Sequence, residues 1–147
     1  MAGIERRANV VWEGGLADGS GTVTGASGAL DELPVTWASR VEGADGRTSP
    51  EELLAESHAA CYAMALSHTL NEAGNPPERL AVSALVSAEL GDEGLRVTAS
   101  ELTVAGRVPG MDARQFERLA QDAERSCPIS NALRGNLDVR VNASLEP

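Results

Sequence analysis

TSPEELLAESHAACYAMALSHTLNEAG, from Thr48 to Gly74, is the one long helix signal in the chain. Ser49 suits the N-cap, Pro50 the first helical position and Glu52 the far side of a capping box, while Glu51 favours the positive end of the macrodipole. Gly74 suits the residue just past the helix, and Asn75-Pro76-Pro77 cannot extend it. Leu53, Leu54, Ala55, Ala59, Ala60, Ala63, Met64, Ala65, Leu66 and Leu70 cover more than one face, which predicts a largely buried helix. Its small residues also let another backbone approach closely, as at a domain or subunit interface. Cys61 sits in the middle of this helix, as a packing residue or as a reactive one.

Before the helix, Ile4 to Glu13 alternates in the manner of a strand. Gly14-Gly15 and Asp18-Gly19-Ser20-Gly21 turn the chain into Thr22-Val23-Thr24, and Gly25 to Gly28 allows a bend. A third strand is expected from Leu33 to Val41, with Pro34 tolerated at its start and Arg40 near its end; Gly43 to Gly46 then breaks the chain. After the helix, Arg79 to Leu90 and Leu95 to Val108 form a hairpin around Gly91-Asp92-Glu93-Gly94. Asp112 and Gln115 start a second helix that runs to about Arg125, with Phe116, Leu119, Ala120 and Ala123 at helical spacing. Pro128 interrupts it, a short helix from Pro128 to Arg134 stops at Gly135, and Leu137 to Leu145 ends as a strand. The order β-β-β-α-β-β-α-β specifies an α+β fold with a mainly antiparallel sheet, because a doubly wound fold would alternate strictly. Residues 1–147 are read as a single domain.

The composition narrows the function classes. A chain of 147 residues with 42% hydrophobic content supports one core, and with one Phe, one Tyr and two Trp that core rests on Val, Leu, Ala and Met. The net charge of −10, with arginine as the sole basic residue type apart from two His, disfavours nucleic acid as a partner. No apolar run approaches the ~20 residues that span a bilayer, and Met1 to Arg7 lacks the apolar region of a secretory signal. A soluble cytoplasmic protein is expected, in which two cysteines are working thiols rather than a permanent disulfide.

Free cysteine is often simply a small buried hydrophobe. Cys127, however, immediately precedes Pro128 at the start of a short helix, where unpaired N–H groups and the dipole favour a thiolate. Cys61 and Cys127 would together suit a peroxidatic and resolving pair. In mid-helix Cys61 has no help from the dipole, so a cation from elsewhere must stabilise its thiolate, and Arg40 and Arg47 are nearest in sequence. His58 lies one turn before Cys61, and its commoner fate is a satisfied core or interface histidine rather than a general base. His58 and His68 are roughly 15 Å apart along a helix, too far to share one ion. A catalytic zinc on His58, Cys61 and Cys127 stays open as a lesser alternative.

Two strings, Ser49-Pro-Glu-Glu-Leu-Leu-Ala-Glu-Ser-His-Ala-Ala-Cys61-Tyr-Ala-Met-Ala-Leu-Ser67 and Cys127-Pro-Ile-Ser-Asn-Ala-Leu133, closely resemble the two cysteine motifs of the OsmC/Ohr family of thiol peroxidases. Ala8-Asn-Val-Val-Trp12-Glu-Gly14 with the Gly-rich hairpin after it, and His58 where the Ohr branch usually has Tyr, resemble the OsmC branch. Tyr62 stands where Phe is common and Glu56 where Ala is common. The resemblance implies an intertwined homodimer with its sites at the interface, and a reductase of organic hydroperoxides and, secondarily, hydrogen peroxide. It implies Cys61 as the peroxidatic residue, Cys127 as its resolving partner in a disulfide, Arg40 as the activating arginine and Glu51 as the acidic partner of that arginine. An external dithiol, in the family's manner a lipoyl group, would reset the disulfide. No metal or organic cofactor is implied. Glu51 and Cys61, ten residues apart, are separated by roughly 15 Å of helix, so Glu51 would act through Arg40 or from a second subunit. A thiol redox sensor or ligand-binding module without turnover is the alternative function.

Overall fold

A short capping motif, rather than a strand, sets where Arg40 sits. The computed structural model describes residues 2–147, and they separate between Leu53 and Leu54 into two compact units. In the first unit, β1 (Ala8–Glu13), β2 (Ser20–Gly25) and β3 (Leu33–Val35) form an antiparallel sheet in that order. Gly21 is required in β2: a Cβ there would lie 2.8 Å from the Trp12 ring and 3.0 Å from Val35 Cγ1, so its absence lets the indole lie over the strand. The strand expected from Leu33 to Val41 stops at Val35, and Trp37–Val41 is instead a helix, α1. The reason is local. The Thr36 hydroxyl accepts from the Ser39 backbone N–H at 3.0 Å, the Ser39 hydroxyl accepts from the Thr36 N–H at 2.9 Å, and Ser39 Oγ also donates to the Thr48 carbonyl. A reciprocal cap of this kind satisfies two otherwise orphaned donors and outweighs the strand propensity of Val35 to Val41.

The long helix α2 spans Pro50–Glu72. Its start follows the sequence in part: Ser49 Oγ accepts from the Glu52 N–H at 3.1 Å, but the Glu52 carboxylate accepts from Thr48 Oγ1 at 2.7 Å instead of closing the box. Its end is a Schellman motif, with Gly74 at φ +85°, the Asn75 N–H bonded to Leu70 O and the Gly74 N–H to Asn71 O. The expectation of a largely buried helix holds for one row only. His58, Tyr62, Leu66 and Leu70 are buried, whereas Met64 is 68% exposed.

In the second unit, β4 (Arg79–Gly91) and β5 (Gly94–Arg107) form the expected hairpin, closed by Asp92-Glu93 with Gly94 at φ +103°. A bulge at Ser87 and Ala88 shifts the register near the tip. The helices α3 (Ala113–Ser126) and α4 (Pro128–Leu133) follow, and β6 (Asp138–Leu145) returns alongside β5 in parallel. The connection between β5 and β6 runs through two helices, which is what a parallel pairing needs. The fold is therefore α+β and mainly antiparallel, with two three-stranded sheets where the sequence led us to expect one, and β6 as the parallel exception. Tyr62, Leu66 and Leu70 of α2, Leu102 and Val104 of β5, and Phe116, Ala120 and Ala123 of α3 make the core, together with Cys127. Gly106 belongs to this packing, since a Cβ there would come within 2.5 Å of the Phe116 ring.

Candidate active site

The helix row His58, Tyr62, Leu66, Leu70 turns one edge of α2 into the core, and Cys61 lies at the border of that face, half-buried. Cys127 is fully buried at the junction where α3 ends and α4 begins. Pro128 forces that junction, because its ring cannot continue α3 and its fixed φ suits the first residue of α4. The two thiols are free and next to each other. Burial pushes the Cys61 thiol up; the Ile129 backbone N–H, at the start of α4, pulls it down, and the Cys127 side chain, through its hydrogen bond and its charge, pushes it up again. The local surroundings thus favour the neutral thiol of Cys61 over its thiolate.

In the first unit, the other two residues singled out from the sequence meet each other. Arg40 Nε lies 3.0 and 3.1 Å from the two Glu51 carboxylate oxygens, and Arg40 Nη2 lies 2.7 Å from Oε1. This forked, charge-assisted pairing fixes the guanidinium plane. The placement of Arg40 on a strand is corrected: it stands in the last turn of α1, and the Thr36–Ser39 cap positions it. Cys61 and Cys127 are brought together within the second unit, and Arg40 and Glu51 within the first. Arg47, the other cation near in sequence, points to solvent beside Asp45, 3.6 Å away. Beside Arg40 the first unit carries an apolar groove of about 470 Å³ lined by Val10, Trp12, Val23, Val35 and Trp37.

A profile of the OsmC-like protein family matches residues 43–142, which include both cysteines and Glu51. The chain belongs to this family. It is 40% identical to the peroxiredoxin OsmC of Escherichia coli K12 over 134 residues, covering 91% of this chain and 93% of that protein. It is 29% identical to the organic hydroperoxide resistance protein OhrB of Bacillus subtilis, over 91% of this chain and 94% of that one. Among solved structures it resembles an organic hydroperoxide resistance protein OsmC of Legionella pneumophila, with a TM-score of 0.75 at 28% identity, over 98% of this chain and 99% of that chain.

Around the thiols of this OsmC-like chain lies a polar cluster that the sequence did not reveal as a unit. His58 Nδ1 is 2.6 Å from Ser100 Oγ of β5, and Nε2 is 2.7 Å from Ser130 Oγ of α4. The histidine is therefore the satisfied core residue the sequence favoured, and with both ring nitrogens engaged by hydroxyls it has no lone pair free for a metal. Burial lowers its pKa, partly opposed by the Glu124 carboxylate. Glu124, itself nearly buried, is held by Arg134 at 2.7 Å. Among the described residues no three His, Cys, Asp or Glu side chains are grouped as a metal site would need, and no helix is long and apolar enough to cross a membrane. Ser130 was visible in the Cys127 string, but Ser100 is one serine in a run of β-formers and carries no signal of its own. Tyr62, next to Cys61, is fully buried and donates to the Ala120 carbonyl at 2.9 Å.

Proposed function

We propose that this chain is a cysteine-based peroxidase that reduces organic hydroperoxides and is recycled by a dithiol. The observation that carries the proposal is the meeting of two free thiols, Cys61 on α2 and Cys127 at the start of α4, in a chain related along most of its length to a peroxiredoxin OsmC. The Cys61 thiolate attacks the terminal oxygen of the hydroperoxide. The O–O bond breaks, the departing alkoxide takes a proton to become an alcohol, and the sulfur is oxidised to sulfenic acid. The Cys127 sulfur then attacks the Cys61 sulfur, the hydroxide leaves and takes the Cys127 thiol proton to become water, and a Cys61–Cys127 disulfide forms. A dithiol, such as a reduced lipoyl group, restores both thiols by exchange and closes its own disulfide.

The activating cation is assigned to Arg40, held in orientation by Glu51, on the family likeness and on the forked ion pair. A guanidinium at the sulfur would stabilise the thiolate against burial and against Cys127. The apolar groove beside Arg40 suits an alkyl chain better than the small polar hydrogen peroxide, which is why organic hydroperoxides are proposed as the substrate class. The working form is proposed to be a homodimer, consistent with the exposed apolar residues Val10, Val11 and Met64.

The test is steady-state turnover of an alkyl hydroperoxide and of hydrogen peroxide, with dihydrolipoamide or a monothiol as reductant, for wild type, Cys61→Ser and Cys127→Ser. Cys61→Ser should consume no peroxide, and Cys127→Ser should consume one equivalent and then stall with a dithiol. Full turnover by Cys61→Ser would refute the mechanism, and wild-type oxidation without turnover under any dithiol would favour a redox sensor.

A further inference from the structure

His58, Ser100 and Ser130 are all fully buried, and their side chains join three elements at one point: α2, β5 and α4. Three apolar side chains of matching shape would fill that volume without the desolvation of two hydroxyls and an imidazole. What the polar cluster adds is geometry. The imidazole is neutral, since burial lowers its pKa and the one carboxylate near it, Glu124, is already paired with Arg134. One ring nitrogen therefore donates to a serine while the other accepts from a serine, so each link has its own polarity and direction.

The location of the clamp gives it a consequence for the thiols. His58 is one helical turn before Cys61. Ser130 directly follows Ile129, whose backbone N–H pulls the Cys61 thiol down, and is three residues after Cys127. The helix α4 has six residues, and its N-cap Cys127 makes no side-chain capping bond. Its far end is tied to α3 by Arg134, which donates to Glu124. The Ser130–His58 bond is thus a side-chain hydrogen bond that ties α4 to the helix that carries Cys61.

We propose that His58 is a positioning residue that, by gripping Ser130, holds the Cys127–Ile129 segment against Cys61. The Ile129 N–H is thereby aimed at the nucleophilic sulfur, and the Cys127 thiol is kept within reach for closure of the disulfide. This rests on the reading of Cys61 and Cys127 as the reacting pair, but its test needs no peroxide. In the full-length chain, His58→Asn keeps a polar atom near the Nδ1 position and loses the link to Ser130. His58→Gln reaches the Nε2 position and keeps that link, and Ser130→Ala removes the hydroxyl alone.

Two rates are measured. The pH profile of Cys61 alkylation by iodoacetamide, in a Cys127→Ser background, reads the thiolate. The rate of Cys61–Cys127 closure by diamide, with both cysteines present, reads the approach of the thiols. Ser130→Ala and His58→Asn should move the alkylation profile up by about one pH unit, which is about tenfold less thiolate at neutral pH. They should slow closure by a similar factor, while His58→Gln stays near wild type. A Ser130→Ala protein with wild-type profile and closure rate would overturn the proposal. So would an equal loss in His58→Asn and His58→Gln, because that is the signature of packing alone. If His58→Asn fails to fold, Ser130→Ala still decides. A chain that passes this test and yet turns over no peroxide would refute the proposed function and leave the positioning role standing.

Discussion

Replacing Tyr62 by Phe should produce a stability difference that vanishes, and then reverses, as the pH rises. The ring of Tyr62 is fully buried, and its hydroxyl donates to the Ala120 carbonyl at 2.9 Å. That carbonyl lies inside α3 and also accepts from the helix, so deleting the phenol oxygen leaves no orphaned acceptor. The cost near neutral pH is one ordinary buried hydrogen bond, about 1 kcal/mol, or about 2–4 °C in Tm for a chain of this size. Burial in the first place, and then the charges of Cys127 and Glu124, push the phenol well above its ordinary range. The folded protein therefore keeps the proton where the unfolded chain releases it. Stability from this group is complete below the unfolded value near 10 and is lost as the pH rises beyond it toward the folded value. At about pH 11 wild type should have lost about 1.4 kcal/mol through this residue alone, while Tyr62→Phe has no such group to titrate. Urea unfolding at a series of pH values between about 8 and 11 would show wild type ahead at the low end and the two curves crossing between about pH 10 and 11. A wild-type advantage that stays constant to about pH 11 would show that Tyr62 ionises in the folded state as it does in water, and would refute its burial.

Gly106→Ala should destabilise the second unit by about 1–3 kcal/mol, because the new methyl meets the Phe116 ring at 2.5 Å; urea midpoints measure this. Thr36→Ala should cost about 1 kcal/mol through the lost cap of α1 and lower kcat/KM by loosening Arg40, whereas an unchanged kcat/KM would separate that cap from the chemistry. Arg40→Gln should raise the apparent pKa of Cys61 alkylation by about one unit or more, with a matching fall in kcat/KM for an alkyl hydroperoxide. A monothiol should support turnover poorly compared with dihydrolipoamide, as measured by peroxide loss at equal thiol concentration.

The parts of the fold written in local chemistry were readable from the sequence. Ser49, Pro50 and Gly74 bracket α2 because caps and helix stops act on neighbouring residues. The hairpin around Asp92-Glu93 and the Cys127-Pro128 junction are local in the same way. The strand expected from Leu33 to Val41 forms at Leu33–Val35 only, because the alternation beyond it satisfies a strand while the helix that forms there depends on a cap with Ser39 where the usual capping box has Glu or Gln. The parallel pairing of β6 with β5 and the division into two sheets depend on long-range contacts that no window of sequence contains. The same holds for the candidate site. Cys61, Cys127, Arg40 and Glu51 were marked by residue type and motif, but the link from His58 to Ser100, 42 positions away, is made by the fold alone.

The most direct test of the central claim is the mass of the intact protein after reaction with one equivalent of an alkyl hydroperoxide, followed by peptide mapping without reduction. The account predicts that wild type loses two hydrogens and yields a peptide pair joined through Cys61 and Cys127, and that Cys127→Ser gains a single oxygen at Cys61. Oxidation that spares Cys61, or that leaves both thiols alkylatable while the peroxide is consumed, would contradict it.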